Sequence, residues 1–208
     1  MPTTPSLHLV QTHQAAAALL SPPRLRILEL LASPDSAAGL ARRLSLPRQQ
    51  VNYHLRELER EGLVELFEER RKGNCIERIL RAKAKSFLLS PAVLGPLSAN
   101  PDEVADKLSA AYLLAQSART IRDLSILSAR AQKQNKRIAT MTLQVDVRFA
   151  SAAHRNAFAE ELTASIANLV TRYHDEHAEG GRNFRFLIGA HPALGRIEEQ
   201  DPQNLTLE

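Results

Sequence analysis

The chain has 208 residues, 44% of them hydrophobic and 24% charged, which is the composition of a globular protein large enough for one large or two small cores. No run approaches the roughly 18 consecutive apolar residues of a membrane helix, and the N-terminal residues lack the basic and apolar regions of a signal peptide. The single cysteine, Cys75, excludes an intramolecular disulfide and a cysteine-ligated zinc site. We therefore expect a cytoplasmic protein with no membrane partner.

The positive charge is concentrated in one part of the chain. The formal net charge is +4, and residues 41–85 alone carry 12 basic and 7 acidic side chains. Such an excess predicts a surface on which a polyanion can dock, although charge by itself is about equally consistent with a solvated charged face.

Proline and glycine divide the chain into blocks. Pro22 and Pro23 close an alanine-rich segment and open a helix, because proline is well tolerated in the first helical turn. A second break, PAVLGPLSANP, contains three prolines and one glycine and predicts a linker. The predicted organisation is a first domain at 1–90, a linker at 91–102, a long helix at 103–138 and a C-terminal domain at 139–208.

The first domain has the pattern of three helices and a hairpin. Apolar residues at helical spacing predict helices at 24–32, where Leu25, Leu28 and Leu31 follow this spacing, and at 37–44 and 48–61. The third helix is expected to end at Gly62 and to bury one apolar face, made of Val51, Leu55 and Leu58. Two strands joined by a basic turn at residues 70–73 are expected to follow. This order of elements predicts a winged helix-turn-helix.

The second half of the chain begins with a long amphipathic pattern. Apolar residues recur every three or four positions from Val104 to Ala131, behind a start signal at Pro101 and Asp102. One unbroken apolar stripe on a helix of this length predicts packing against a second copy of the chain. Folding back onto the chain's own C-terminal domain is the alternative.

The C-terminal domain has a β-α-β pattern. Strict apolar and polar alternation predicts strands at 141–149 and 184–188, and an apolar stripe from Phe158 to Tyr173 predicts the helix between them. One helix on two strands is too thin to stand alone, so the unit either pairs with a second chain or docks on the long helix. The fold class predicted for the whole chain is α+β.

Three signatures in the first domain resemble those of a known family. They are an Arg-x-x-Ile-Leu helix from Arg24 to Leu28, the run His-Leu-x-x-Leu-x-x-x-Gly-Leu-Val from His54 to Val64, and a basic wing at residues 70–73. Residues 20–85 thereby resemble the winged-helix regulators of the ArsR type. The resemblance implies transcriptional regulation through double-stranded DNA, and with the apolar stripe of the long helix it favours a homodimer.

Metal sensing does not accompany this resemblance. Metal-sensing members carry paired cysteines before the recognition helix, where this chain has Ala41, Arg42 and Arg43. We predict no metal site and no cofactor, and the sequence leaves a small-molecule effector open.

The candidate DNA-binding residues are polar or cationic and lie on the third helix, the wing and the first helix. Amide and hydroxyl side chains can bond to base edges in the major groove, whereas arginine and lysine hold phosphates or enter the minor groove. The expected base contacts are Gln49, Gln50, Asn52 and Tyr53. The expected backbone or minor-groove contacts are Arg24, Arg48, Arg56, Arg70, Arg71 and Lys72, with an internal salt bridge as the alternative for Arg24.

The sequence lacks the motifs of several common enzyme classes. The chain lacks a glycine-rich strand-to-helix loop, a Gly-x-Ser-x-Gly elbow and a His-Glu-x-x-His motif, so we do not expect an enzyme. The remaining alternative is a winged-helix module that binds a protein or RNA without operator specificity.

Overall fold

The computed structural model describes residues 4–72 and 75–194. The chain divides into two compact units, Met1–Ile138 and Ala139–Glu208. Among the described helices, none combines the length and the apolar character needed to cross a bilayer.

The first unit begins with four short helices. They are α1 (His13–Leu19), α2 (Pro22–Leu30), α3 (Ala37–Leu44) and α4 (Arg48–Arg60). Side chains cap two of them, since the Thr12 hydroxyl accepts from the Ala15 amide and the Ser36 hydroxyl accepts from the Gly39 amide. Proline opens α2 as predicted. The three helices predicted for this region are confirmed within two residues at each end.

Five strands form two small sheets in the same unit. The strands are β1 (Leu7–Val10), β2 (Asp35–Ser36), β3 (Val64–Lys72), β4 (Cys75–Ala82) and β5 (Ser86–Leu89). The order β2-β4-β3 is antiparallel throughout, and β1 pairs in parallel with β5. Helices α2, α3 and α4 together with the β3–β4 hairpin form the predicted winged helix-turn-helix.

The core of this unit is aliphatic. Val51, Leu55 and Leu58 on α4 are buried, as their spacing predicts. On α2 the buried positions are Ile27 and Leu28, whereas Leu25, which we expected in the core, is exposed. The core also contains Leu31, Leu40, Leu63 and Leu80, drawn from different elements. Each fully buried leucine contributes on the order of 2 kcal/mol to folding.

The long helix of the second half begins later than the sequence predicts. Residues 91–103 contain two short 3-10 segments, Pro91–Leu97 and Pro101–Glu103, and α5 then spans Ala110–Lys133. Ser109 starts α5 because its hydroxyl accepts from the Tyr112 amide. The ammonium group of Lys107 donates to the carbonyls of Pro101 and Val104 and so holds the turn in front of the helix.

Helix α5 packs against the rest of the first unit with small and polar residues. Ala115 and Ser125 are buried, and the Gln11 side-chain amide donates to the Ser125 carbonyl at 3.0 Å. The predicted apolar stripe is covered only in part, and Ala118 and Ile121 on it are half-buried. Leu114, Leu124 and Leu127 on it are 70%, 38% and 45% exposed.

The second unit contains one helix among its described residues 139–194. This helix, α6 (Ala152–Tyr173), confirms the predicted helix, and the Ser151 hydroxyl caps it through the His154 amide. The two strands predicted at 141–149 and 184–188 are not present in the described part of the single chain. A strand requires backbone hydrogen bonds to a neighbour, and no such bond joins these two segments.

Candidate nucleic-acid interface

Two helices and a tight turn position the candidate interface. Between α3 and α4, Ser45 adopts a left-handed conformation with φ of 53°, and the Leu46 amide donates to the Ala41 carbonyl. Pro47 then precedes the first turn of α4. Because Val51, Leu55 and Leu58 anchor α4 in the core, the opposite side of the helix faces outward.

The outward side of α4 carries the predicted contact residues. Five of them are exposed, namely Arg48, Gln49, Gln50, Tyr53 and Arg56. Asn52 is half-buried, and the ring of Tyr53, 59% exposed, packs edge-on against His54. None of the six side chains forms a hydrogen bond or ion pair with another described residue, so their donors and acceptors are available to a ligand.

Other arginines nearby are neutralised by acids. Arg60 bonds to Glu57 at 2.7 Å and to Glu61 at 3.0 Å, and these bonds, first of all the one to Glu61, raise the pKa of its guanidinium. Arg78 on β4 bonds to Glu59 on α4 at 2.6 Å, and this bond raises the pKa of Arg78. Of the three arginines of α4, Arg48 and Arg56 therefore remain without an acidic partner among the described residues.

The wing differs in detail from the prediction. Arg70, Arg71 and Lys72 belong to strand β3, where Arg71 pairs with Ile76 and Lys72 with Cys75, so they are not a turn. The chain stays extended there because each of these residues has a partner in β4. Arg70 is exposed but bonds to Glu68, and Arg71 is exposed. The Lys72 side chain and Gly73 lie outside the described residues.

A groove joins the recognition helix to the wing. Arg48, Asn52 and Arg56 line one wall, and Ile76 and Arg78 of β4 line the other. Ser36 of β2 and the first two residues of α3, Ala37 and Ala38, also line the groove. Arg78 was not predicted from the sequence. Its alternation with Ile76 in β4 was the available signal, because residues two apart share a face of a strand.

Comparison with known protein families identifies this arrangement. Residues 19–66 match the family model of a helix-turn-helix domain. The match spans α2, α3 and α4, and it confirms the helix-turn-helix expected from the ArsR-type signatures. The comparison with curated protein sequences gives no match.

Two solved structures are similar to this chain. One is the homodimeric winged helix-turn-helix DNA-binding domain of a possible ArsR-family transcriptional regulator from Mycobacterium bovis; it is 17% identical and covers 61% of this chain and 85% of its own, with a TM-score of 0.29. The other is a MarR family regulator from Neisseria meningitidis, 23% identical over 58% of this chain and 82% of its own, with a TM-score of 0.27.

Arg24 has a structural role in the helix-turn-helix domain. Its Nε donates to the Ala18 carbonyl at 2.8 Å, and its Nη2 donates to the Ala17 carbonyl at 3.2 Å. A cation that bonds to the last carbonyls of a helix satisfies acceptors that have no partner in the helix itself. The structure thus supports an internal role for Arg24, through backbone carbonyls of α1 in place of a salt bridge, and its contact with DNA stays a prediction.

His54 is the buried polar residue behind the recognition surface. Its side chain is 8% exposed, and neither ring nitrogen has a hydrogen-bond partner among the described residues. Burial, and secondly the positive charge of Arg24, lower the pKa of the imidazole below its ordinary value. A neutral His54 therefore supports α4 from inside the domain, and the residue is not exposed for a DNA contact.

This burial predicts a pH-dependent stability. Below about pH 6.5 the unfolded chain binds a proton at His54 that the folded domain does not bind. The free energy of unfolding should therefore fall as the pH drops from 6.5 toward the lowered pKa. His54→Leu should make this fall shallower, as measured by urea unfolding between pH 7.5 and 5. His13→Gln, which changes an exposed histidine, should give the same slope of unfolding free energy against pH as the unmodified protein. Equal slopes in all three proteins would contradict the prediction.

Proposed function

We propose that this chain is a dimeric transcriptional regulator that binds double-stranded DNA. Helix α4 lies in the major groove, and the β3–β4 wing follows the backbone or enters the minor groove. The observation that carries this proposal is the contrast on and around α4. Arg48 and Arg56 are exposed without an acidic partner among the described residues, whereas Arg60 and Arg78 are paired with glutamates.

The readers of base sequence are the amide and hydroxyl side chains of α4. An α-helix fits the width of the major groove, and asparagine or glutamine can make two hydrogen bonds to adenine there. We assign base contacts to Gln49, Gln50, Asn52 and Tyr53. All four lie in the first half of α4, the end that recognition helices of this type insert into the groove.

The cationic side chains fix the domain on the backbone. Arg48 and Arg56 lie on the same wall of the groove as Asn52, so phosphates held by them would place Asn52 against base edges. We assign backbone or minor-groove contacts to Arg70, Arg71 and Lys72 of the wing. The bond from Arg70 to Glu68 must open or be shared for Arg70 to take part.

Helix α5 supplies the dimer interface in this proposal. Leu114, Leu124 and Leu127 remain partly or largely exposed on its apolar stripe, while its small residues contact the chain's own first unit. Burying this stripe against the same stripe of a second copy would hold two recognition helices at one spacing. That is the requirement for reading two half-sites.

The contrast between Arg56 and Arg60 provides the experiment. Arg56→Ala should weaken binding to every duplex, because one phosphate contact is lost in each protomer. The slope of log affinity against log salt concentration should fall by about 0.9 per protomer. Arg60→Ala, one turn further along the same helix, should change affinity and slope little, because Glu57 and Glu61 already neutralise this arginine. Fluorescence anisotropy of labelled duplexes at five salt concentrations measures both quantities.

Two results would count against DNA binding through α4. The first is an equal effect of Arg56→Ala and Arg60→Ala on the salt slope. The second is tighter binding of the unmodified protein to double-stranded RNA of the same sequence. The deep and narrow major groove of RNA does not admit a helix, so α4 could not bind RNA in the proposed way. Such a result would favour the RNA-binding alternative.

A further inference from the structure

The second unit has no core of its own. Among its described residues, 139–194, none is buried, and only Phe149 and Ile166 are half-buried. Nevertheless these residues include fourteen large hydrophobic side chains that are exposed. A unit of this composition does not fold stably while its apolar surface remains in water. The exposed side chains must therefore be covered by something outside this single copy of the unit.

The exposed side chains follow three regular patterns. Met141, Leu143, Val145 and Val147 alternate with polar residues before α6. Phe158, Leu162, Leu169 and Tyr173 form one stripe on α6. Phe184, Phe186 and Ile188 alternate after it. Two segments with a period of two and one helical stripe between them are the pattern of a sheet with a helix packed on its apolar face.

The lengths of the helix and of the first segment match such a layer. Helix α6 has 22 residues and is about 33 Å long at 1.5 Å per residue. A strand over residues 141–149 would be about 30 Å long at 3.3 Å per residue. The rings of Phe149 and Phe158 are 5.4 Å apart, so the first segment already turns toward the helix where the two meet.

The two segments do not pair with each other as strands among the described residues. No backbone hydrogen bond joins described residues of 139–150 or 182–194 to each other or to another strand. Their amide and carbonyl groups would be left without partners if the apolar side chains alone were covered. The missing partner must therefore supply strands as well as apolar side chains.

We propose that residues 139–194 pair with the same residues of a second copy of this chain. The segments 141–149 and 184–188 of both copies become strands of one intermolecular sheet, and the two α6 helices cover its apolar face. This inference rests on the second unit alone and does not depend on the DNA contacts proposed for α4.

Two features favour a second copy over an unrelated partner. Two copies bring together four strands and two helices, whereas one copy offers two strands and one helix, and these do not form a sheet among the described residues of the single chain. The first segment is also complementary to itself in charge. An antiparallel pair centred on Val147 would join residues 145–149 of the two copies. It would place Asp146 of each copy opposite Arg148 of the other, and opposite charges across a strand pair are stabilising.

Hydrogen–deuterium exchange of the full chain tests the proposal. Amides of residues 141–149 and 184–188 should exchange at least about tenfold more slowly at high than at low protein concentration, because dilution removes the partner strands by mass action. Sedimentation equilibrium under the same conditions gives the fraction of dimer. Rapid exchange of both segments in a dimeric sample would overturn the proposal. Slow exchange in a sample shown to be monomeric would also overturn it, in favour of docking within one chain.

If the dimer does not dissociate on dilution, a matched pair of variants tests the same proposal. Val145→Asp places a charge on the apolar side of the first segment and should abolish the slow exchange of both segments. Gln144→Asp makes the same kind of change on the polar side and should retain it. Amides of α2 and α4 report on folding of the helix-turn-helix domain and should be unaffected in both variants. If the two variants exchange alike at residues 184–188, the intermolecular sheet is ruled out.

Discussion

Leu124→Asp is expected to raise the dissociation constant of the dimer proposed to form through α5 by at least about 100-fold. Leu124 lies on the exposed apolar stripe of α5, and two-fold symmetry would place the new carboxylate twice in one interface. Each carboxylate would lose water without gaining a partner, which is costly even when the interface adjusts. Binding to an operator with two half-sites should weaken by about 10²-fold or more, because the second half-site is no longer bound as an intramolecular event.

Sedimentation equilibrium and titration of full-site and half-site duplexes measure these effects. Ile126→Asp is the matched control, because Ile126 is 43% exposed on the same helix and lies about 200° around the helix axis from Leu124. It should leave both the dimer and the full-site affinity intact. Dissociation of the dimer by the Ile126 change alone would place the interface on another face of α5.

Asn52→Ala is expected to reduce affinity for the selected operator by about 1 to 3 kcal/mol, which is about 5-fold to 150-fold. Asn52 lies between Arg48 and Arg56 along the groove wall. Its amide can make paired hydrogen bonds that alanine cannot replace. Binding to duplexes of random sequence should change little, because affinity for them comes from the phosphates.

Selection of bound fragments from a random library supplies the operator for this measurement. Arg71→Ala is the comparison variant, and it should weaken operator and random duplexes by the same factor, since a wing arginine contacts the backbone or the minor groove. If Asn52→Ala also lowered both affinities equally, Asn52 would be a residue that positions the helix and does not read sequence.

The recognition helix shows why part of the fold is predictable. Val51, Leu55 and Leu58 recur at helical spacing, and the face that they bury determines which side chains of α4 point outward. The same reasoning placed Leu25 in the core, where the structure has Ile27. A short helix with apolar residues on several sides has no single periodic face, so its neighbours decide which of them is buried.

The exposed residues of the candidate site could be predicted from the sequence, but the bonding partners of the nearby arginines could not. Arg48, Gln49, Gln50, Tyr53 and Arg56 are exposed as the pattern requires. The bonds that hold Arg24 against α1, and those that neutralise Arg60 and Arg78, could not be inferred in the same way. On a helix, several acidic side chains can compete for one guanidinium, so the spacing alone does not give the partner of Arg60. For Arg78 the partner is Glu59, which it contacts only after the wing has folded against α4.

Several strands also depend on residues distant in sequence. Strand β2 has two residues, too few for a periodic signal, and β1 is a strand because β5 lies beside it. For residues 141–149 the sequence has the alternation of a strand, but a strand also needs a neighbour. The single chain does not supply one among its described residues.

The sequence alone determined the three helices, the hairpin, the long amphipathic helix and the polar side of α4, because each follows from spacing within one segment. The tertiary structure decided which cations remain available to a ligand, where α5 begins and which apolar surfaces are left uncovered. Those outcomes are set by hydrogen bonds, ion pairs and burial between segments far apart in the chain, where local periodicity carries no information.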